Sequence, residues 1–259
     1  RLELESWCAL APPLARRLGL IVEPAAIDTD AFGTFTGTTA RTGTAAEAAL
    51  AKARAGMADA GLDLGLASEG SFGPHPWLPF GAGGVETLAF IDAPRGLELT
   101  LSAVSRRTNF AQHEVSAGTD IAAFLTRIGF PAHALVVKGP DGAVLATGVQ
   151  NMATLSPLAW PGNRLETDMR AHMNPTRMTA IRALAGRLAA RLAALCPDCG
   201  APGWGQVDLL RGMLGVEDNR GNSLLLQAIG ESTQAHHQVF NNGSVVLGET
   251  REHRPSSEE

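Results

Sequence analysis

Between Glu166 and Met178 the chain reads Glu-Thr-Asp-Met-Arg-Ala-His-Met-Asn-Pro-Thr-Arg-Met, so two carboxylates, two arginines, a histidine and an asparagine fall within thirteen residues. Glu166 and Asp168 share one face if that stretch is extended, because side chains alternate along a strand, and the same holds for Asp28 and Asp30. Each pair is a candidate ligand set for one divalent cation. Mg²⁺ takes one or two carboxylates together with waters and substrate phosphates, which would suit a phosphorylated substrate. Arg170 and Arg177 flank Asn174, the natural cap of a helix that starts at Pro175. Guanidinium groups beside the N–H groups of a helix start are suited to clamping an anion. His172, between them, is a candidate general acid, general base or ligand. The bland alternative is that the arginines pair with Glu166 and Asp168 and the cluster only fixes the fold.

A second polar stretch, Ser68-Glu-Gly-Ser-Phe-Gly-Pro-His-Pro76, supplies Glu69, Ser71 and His75 beside glycines that a ligand could approach closely. It is neither a nucleophile elbow, since Gly-x-Ser-x-Gly is absent, nor a phosphate loop, since the closing Lys-Ser/Thr is missing. Glu69, His75, Asp168 and His172 are thus the candidates for catalysis, and Ser71, Asn109, Arg170, Asn174 and Arg177 for substrate contact. Asp28, Asp30, Glu166 and Asp168 are the candidates for a divalent cation. Lys52 reads as a solvated helix residue. Cys196-Pro-Asp-Cys199-Gly200 has the form that offers two thiolates to one zinc. Downstream, His236, His237 and His253 stand at spacings that fit no standard pattern, and a redox role is weakened by the pair's position after a helix.

The elements that must position these groups follow from periodicity. Leucines at 10, 14 and 18 predict a short helix over 9–18, with its prolines tolerable only in the first turn, and Leu20-Ile-Val22 predicts a β run. Residues 28–37 read as a strand or strand-edge loop. Thr44 with Glu47 forms a capping box that opens a helix reaching Ala60, with Leu50, Ala53, Met57 and Ala60 on one face. A strand is expected over 62–67, then a Gly/Pro-rich loop over 68–84, then strands over 86–92 and 97–104. A helix follows over 119–128, capped by Thr119 and carrying an apolar stripe of Ile121, Phe124, Leu125 and Ile128. Further strands are expected over 134–138, 143–148 and 164–168. The helix from Pro175 runs to about Leu195 with Ile181, Leu184, Leu188 and Leu192 on one face. Strands alternating with helices imply an α/β class, a mixed sheet flanked by helices with a small irregular C-terminal appendix. The division expected is 1–195 for the α/β domain and 196–259 for the appendix.

Composition narrows the function classes. Charged residues are 18%, hydrophobic ones 45% and the net charge is −5, which fits a soluble globular protein and argues against general nucleic-acid binding. No apolar run approaches the roughly 18–20 residues of a membrane span, and Arg1-Leu-Glu-Leu-Glu5 lacks the basic-then-apolar order of a signal peptide, so a cytoplasmic location is the default expectation. Three cysteines do not make a secreted disulfide framework.

Asp28-Thr-Asp-Ala-Phe-Gly-Thr-Phe, Ala67–Pro76, Thr108-Asn109, Phe130-Pro-Ala-His133 and Glu166–Met178 together resemble the bacterial DUF6671 family over roughly residues 9–205. The resemblance implies no activity. It does imply that Cys196-Pro-Asp-Cys199 opens a zinc ribbon, from which this chain departs because residues 206–259 carry no cysteine. A second, motif-level resemblance is to the inosine/xanthosine triphosphate pyrophosphatases, through Asn174-Pro-Thr-Arg177 and Glu69, with the order reversed and arginine in place of lysine. The leading expectation is a Mg²⁺-assisted, hydrolase-like enzyme acting on a small anionic or phosphorylated metabolite. The alternative is a non-enzymatic ligand-binding or regulatory module with a degenerate zinc-binding appendix.

Overall fold

The computed structural model describes residues 6–33, 43–75, 78–118, 120–198, 200–204, 239–241 and 244–246. Its helices and strands make an α/β protein whose strands lie in separate antiparallel sheets, two of them large, rather than one mixed sheet. With so few residues separating β1 (Leu64–His75), β2 (Leu78–Asp92) and β3 (Leu97–Ser105) in sequence, antiparallel pairing is their only option, which gives a three-stranded sheet with β2 at its centre. Within the stretch 68–84, expected as a loop, residues 68–75 and 78–84 belong to β1 and β2, in register from Leu64↔Asp92 to Pro74↔Ala82, and residues 76–77 lie outside the described residues.

Both faces of this sheet are covered. Leu88 and Phe90 point toward α1 (Trp7–Leu18) and α5 (Pro175–Ala193), where Leu10, Leu14, Ile181, Leu184 and Leu188 complete one core. Each such leucine, fully buried, contributes roughly 1.5–3 kcal/mol of transfer free energy. The opposite face lies under α2 (Ala45–Ala60), whose capping box is formed as the sequence implies, with Glu47 accepting the Thr44 backbone N–H and the Thr44 side chain accepting the Glu47 N–H. The Thr44 backbone N–H and the Thr44 hydroxyl, which also reaches Glu47 Oε2 at 2.8 Å, hold the Glu47 carboxyl below its ordinary range. The buried stripe of α2 is Ala45, Ala46, Ala48, Ala49 and Ala53, small residues that let the helix sit close to the strands.

The second sheet has the order β4-β7-β5-β6, from β4 (Gln112–Glu114), β7 (Arg164–Thr167), β5 (Leu135–Lys138) and β6 (Val144–Val149). Phe124, Leu125 and Ile128 of α3 (Ala122–Ile128) pack with Leu135, Val137, Val149 and Leu165 as a separate core. A one-turn helix, α4 (Met152–Leu155), capped by Asn151, stands where the sequence showed no element.

Several local expectations change. Helix α1 starts at Trp7, so Pro12 and Pro13 fall in its second turn. Residues 20–22 form no strand. Thr29–Phe32 is a 3-10 helix, which removes the extended geometry that would set Asp28 and Asp30 on one face. The N-cap position of α3 is Ile121, which makes no side-chain cap, the Ala122 N–H donates instead to Asp120 Oδ1 at 2.8 Å, and Thr119 lies outside the described residues. After α5 a tight turn runs from Leu195, bridged to Pro202, with the Gly200 N–H donating to Cys196 O at 2.8 Å. A short hairpin pairs β8 (Val239–Asn241) with β9 (Ser244–Val246). Among the described residues no helix is long and apolar enough to cross a membrane.

Candidate functional site

The start of α5 is the joint between the two sheets, because its body packs on the first sheet while its first turn is held by groups from the second. Helix starts leave backbone N–H groups without intrahelical acceptors. Here Pro175 removes one. Thr176 N–H donates to His133 Nε2 at 3.3 Å, and Arg177 N–H to Asn174 Oδ1 at 3.1 Å. An accepting Nε2 places the His133 proton on Nδ1, which faces Gly129 O at 3.4 Å. Asn174 is fully buried and also donates through Nδ2 to Asn109 Oδ1 at 2.9 Å and to Asp168 O at 3.2 Å. The first turn that sequence reading offered to an anion is therefore occupied by the protein itself.

Arg177 is equally committed. Its side chain is 4% exposed and makes a two-pronged pair with Glu86, Nε to Oε1 at 2.7 Å and Nη2 to Oε2 at 2.9 Å. Its Nη1 donates to Met169 O, and the Phe72 ring lies 5.0 Å from the guanidinium. Two glycines make room. A Cβ on Gly70 would come within 2.6 Å of Arg177 Nη2, and one on Gly84 within 2.7 Å of the Phe72 ring. Burial pushes the Glu86 carboxyl above its ordinary range, the hydrogen bonds and charge of Arg177 oppose that, and the charge of Glu69 adds to it.

Arg170 sits at the edge of the same joint with more access to water. It pairs with Asp168, Nη2 to Oδ2 at 2.6 Å, the arginine side chain 33% exposed and the aspartate 1%. Asp168 also accepts the Gly148 N–H at 3.1 Å, at a glycine held in the left-handed region at φ 65°, where an added Cβ would lie 3.2 Å from Met173 and 3.3 Å from Arg170. Beside the joint opens a cleft of about 340 Å³, lined by Thr108, Asn109, Phe110, Gln112, Arg127 and Ile128 among others. Thr108 also borders a small crevice over Glu86 and Arg177, so the cleft adjoins the buried pair. The Arg127 guanidinium stacks 5.5 Å from the Phe124 ring centroid.

Residues 52–221 match the family described as Domain of unknown function (DUF6671). The chain belongs to the DUF6671 family. No curated protein and no solved structure matches it. The family match opens inside α2, so α1 and the 3-10 helix precede it.

In this DUF6671 chain the remaining candidates are dispersed. Glu69 points to the α2 face of the sheet, across from Thr87, and pairs at 2.5 Å with Lys52, whose side chain is only 12% exposed. Lys52, expected in solvent, brings its ammonium to that buried carboxylate, as long amphipathic side chains can. Glu86, one position on, faces α5, so the two glutamates lie on opposite faces of the sheet. Ser71 is half-buried on β1, and β1 ends at His75. His172 is half-buried in a 3-10 helix, Ala171–Met173. Glu166 lies between Arg164, at 2.7 Å, and Lys138, at 2.9 Å, and does not share a cation position with Asp168, which faces Arg170. Asp28 is exposed ahead of the 3-10 helix that contains Asp30. Among the described residues no three His, Cys, Asp or Glu side chains gather into a metal-holding group. Cys196 is buried, and Cys199 lies outside the described residues.

Glu86, Lys52, Phe72 and Arg127 were not singled out by sequence reading as parts of a site. Glu86 carried a usable signal, a lone carboxylate inside the apolar run Val85–Ile91, where a buried charge needs a partner from elsewhere. Arg127 carried none, since an arginine in the last turn of a helix ordinarily answers the helix dipole.

Proposed function

We propose that this DUF6671 protein binds a small anionic metabolite in the cleft between the Thr108–Gln112 segment and the end of α3. The observation that carries this reading is the lining: Arg127 with Thr108, Asn109 and Gln112, and no carboxylate. At about 340 Å³ the cleft falls within the usual span of roughly 300–1,000 Å³ for small-molecule sites. A guanidinium at such a site offers paired N–H donors to a carboxylate or phosphate.

The catalytic extension of this reading is Mg²⁺-assisted hydrolysis of a phosphorylated metabolite. It would draw on Glu69, His75, Asp168 and His172 for proton transfer and on Asp28, Asp30, Glu166 and Asp168 for the ion. Glu69, Glu166 and Asp168 each face a lysine or arginine of the chain, so a metal at any of them must first displace that cation. Binding is thus the better-supported half of the reading. Zinc at Cys196 and Cys199 is a separate proposal, favoured by the compact turn that Gly200 closes onto Cys196; stoichiometric zinc that disappears in Cys196→Ser would establish it.

The test is thermal shift of the wild type and Arg127→Ala against nucleotides and sugar phosphates, with and without Mg²⁺. A compound that raises the Tm of the wild type alone supports the cleft. Equal stabilisation of both proteins, or silence across the library, sinks it. A shift that requires Mg²⁺ would favour the catalytic extension.

A further inference from the structure

The hydrogen bonds around Asn109 fix which way its amide faces. Arg177 N–H requires an acceptor, so Asn174 turns Oδ1 toward it at 3.1 Å. Asn174 Nδ2 then donates to Asn109 Oδ1 at 2.9 Å, and Asn109 Nδ2 in turn donates to Ile128 O at 3.2 Å. The order has one sense only, because turning over either amide would set donor against donor or acceptor against acceptor. Asn109 Nδ2 carries two N–H groups and spends one on Ile128 O. The other is left to donate, and Asn109 lines the cleft. Thr108 repeats the logic, since its Oγ1 accepts the Phe110 N–H at 3.1 Å and its own hydrogen is left to donate. Arg127 can only donate. Three of the cleft's four polar side chains therefore present hydrogens, while Gln112 can turn either end inward.

We infer that the Asn174–Asn109 relay makes the cleft selective for oxyanions that only accept hydrogen bonds, ionised phosphate or carboxylate, with Asn109 as the specificity-determining residue and Asn174 as its positioning residue. This rests on the cleft being the binding site proposed above. A ligand group that must donate would meet donors, and a buried donor left without an acceptor is costly. The selectivity is set from the far side of the joint, by the same asparagine that caps α5.

The full-length chain titrated with inorganic phosphate, followed by NMR, separates the two ideas. In the wild type, one of the two Asn109 side-chain N–H resonances should move with saturation while its geminal partner, held by Ile128 O, stays. Arg127→Gln should weaken phosphate by about tenfold, the scale of one charge-assisted bond. Gln112→Glu adds a negative charge to the cleft without touching the relay, and Asn109→Asp adds the same charge while removing the donor. Asn109→Asp should bind at least about tenfold more weakly than Gln112→Glu. Equal losses in those two variants, or an Asn109 amide unmoved by saturating phosphate, overturn the relay while leaving the cleft as a site. Phosphate that fails to bind the wild type, or that binds Arg127→Gln unchanged, overturns the cleft itself. The wild-type amide measurement decides the relay even where Asn109→Asp does not fold.

Discussion

The joint at the start of α5 and the cleft beside it are built from neighbouring residues, yet their polar groups are in opposite states. In the joint, Asn174, Arg177, Glu86, Asp168 and Arg170 answer one another, and even the Thr176 N–H has an imidazole to accept it. In the cleft, Arg127, Thr108 and Asn109 present donors with no carboxylate among the lining residues. The densest chemistry in the sequence holds the start of α5 to the rest of the fold, and the cleft proposed as the binding site draws on the sparser set next to it. Asn109 belongs to both, which is why the joint can set the polarity of the cleft.

That contrast can be broken by variants that exchange the two behaviours. Arg177→Ala leaves Glu86 buried without its partner and should cost about 3–5 kcal/mol in urea unfolding, while folded protein keeps its phosphate affinity. Affinity lost with stability intact would make Arg177 a ligand residue instead. Asn174→Ala removes a helix cap and strands Asn109 Oδ1, so a loss of roughly 2 kcal/mol is expected, together with loss of the single-sided amide response at Asn109. Asp168→Asn should be milder, about 1–3 kcal/mol, since Arg170 is one-third exposed and can return to water. Arg127→Ala should leave stability within about 0.5 kcal/mol and weaken anion binding by at least about tenfold, the reverse of Arg177→Ala.

The pH dependence sharpens the same comparison. The Glu86 carboxyl is raised from its ordinary value of 4.5 by burial, so the folded chain holds that proton more tightly than the unfolded chain. Stability from this group is fully present below 4.5 and declines as pH rises through the folded value. Unfolding midpoints measured against pH should show that decline in the wild type and a flatter profile in Glu86→Gln. An identical slope in both would remove Glu86 as its source.

Local chemistry was readable where the partners are close in sequence. The Thr44–Glu47 box, the Asn174 cap with Pro175 behind it and the apolar stripe of α5 all form as their spacing implies. The hairpin tip was misread because its glycines and prolines imitate a loop. Gly70 is in its strand to let Arg177 approach the backbone, a demand set by a helix about a hundred residues away, and Gly84 makes room for the Phe72 ring of the neighbouring strand. The convergence of Asp168, Arg170, Asn174 and Arg177 was legible, as was a pairing of Arg170 with Asp168, whereas the partner of Arg177 was not. Glu86 is 91 residues from Arg177, and no local pattern announces such a pairing. The two-sheet arrangement was hidden for the same reason, since pairing partners are chosen by turn length and by which faces the helices cover.

The most direct test of the separation between joint and cleft is a phosphate titration of the wild-type chain followed residue by residue through backbone amide and arginine side-chain resonances. Saturating shifts centred on Thr108–Gln112 and the Arg127 side chain, with the Arg177 guanidinium unmoved, are the predicted result. Shifts centred on Arg170, Arg177 and the first turn of α5, with the 108–112 segment silent, would contradict it and return the anion to the helix start.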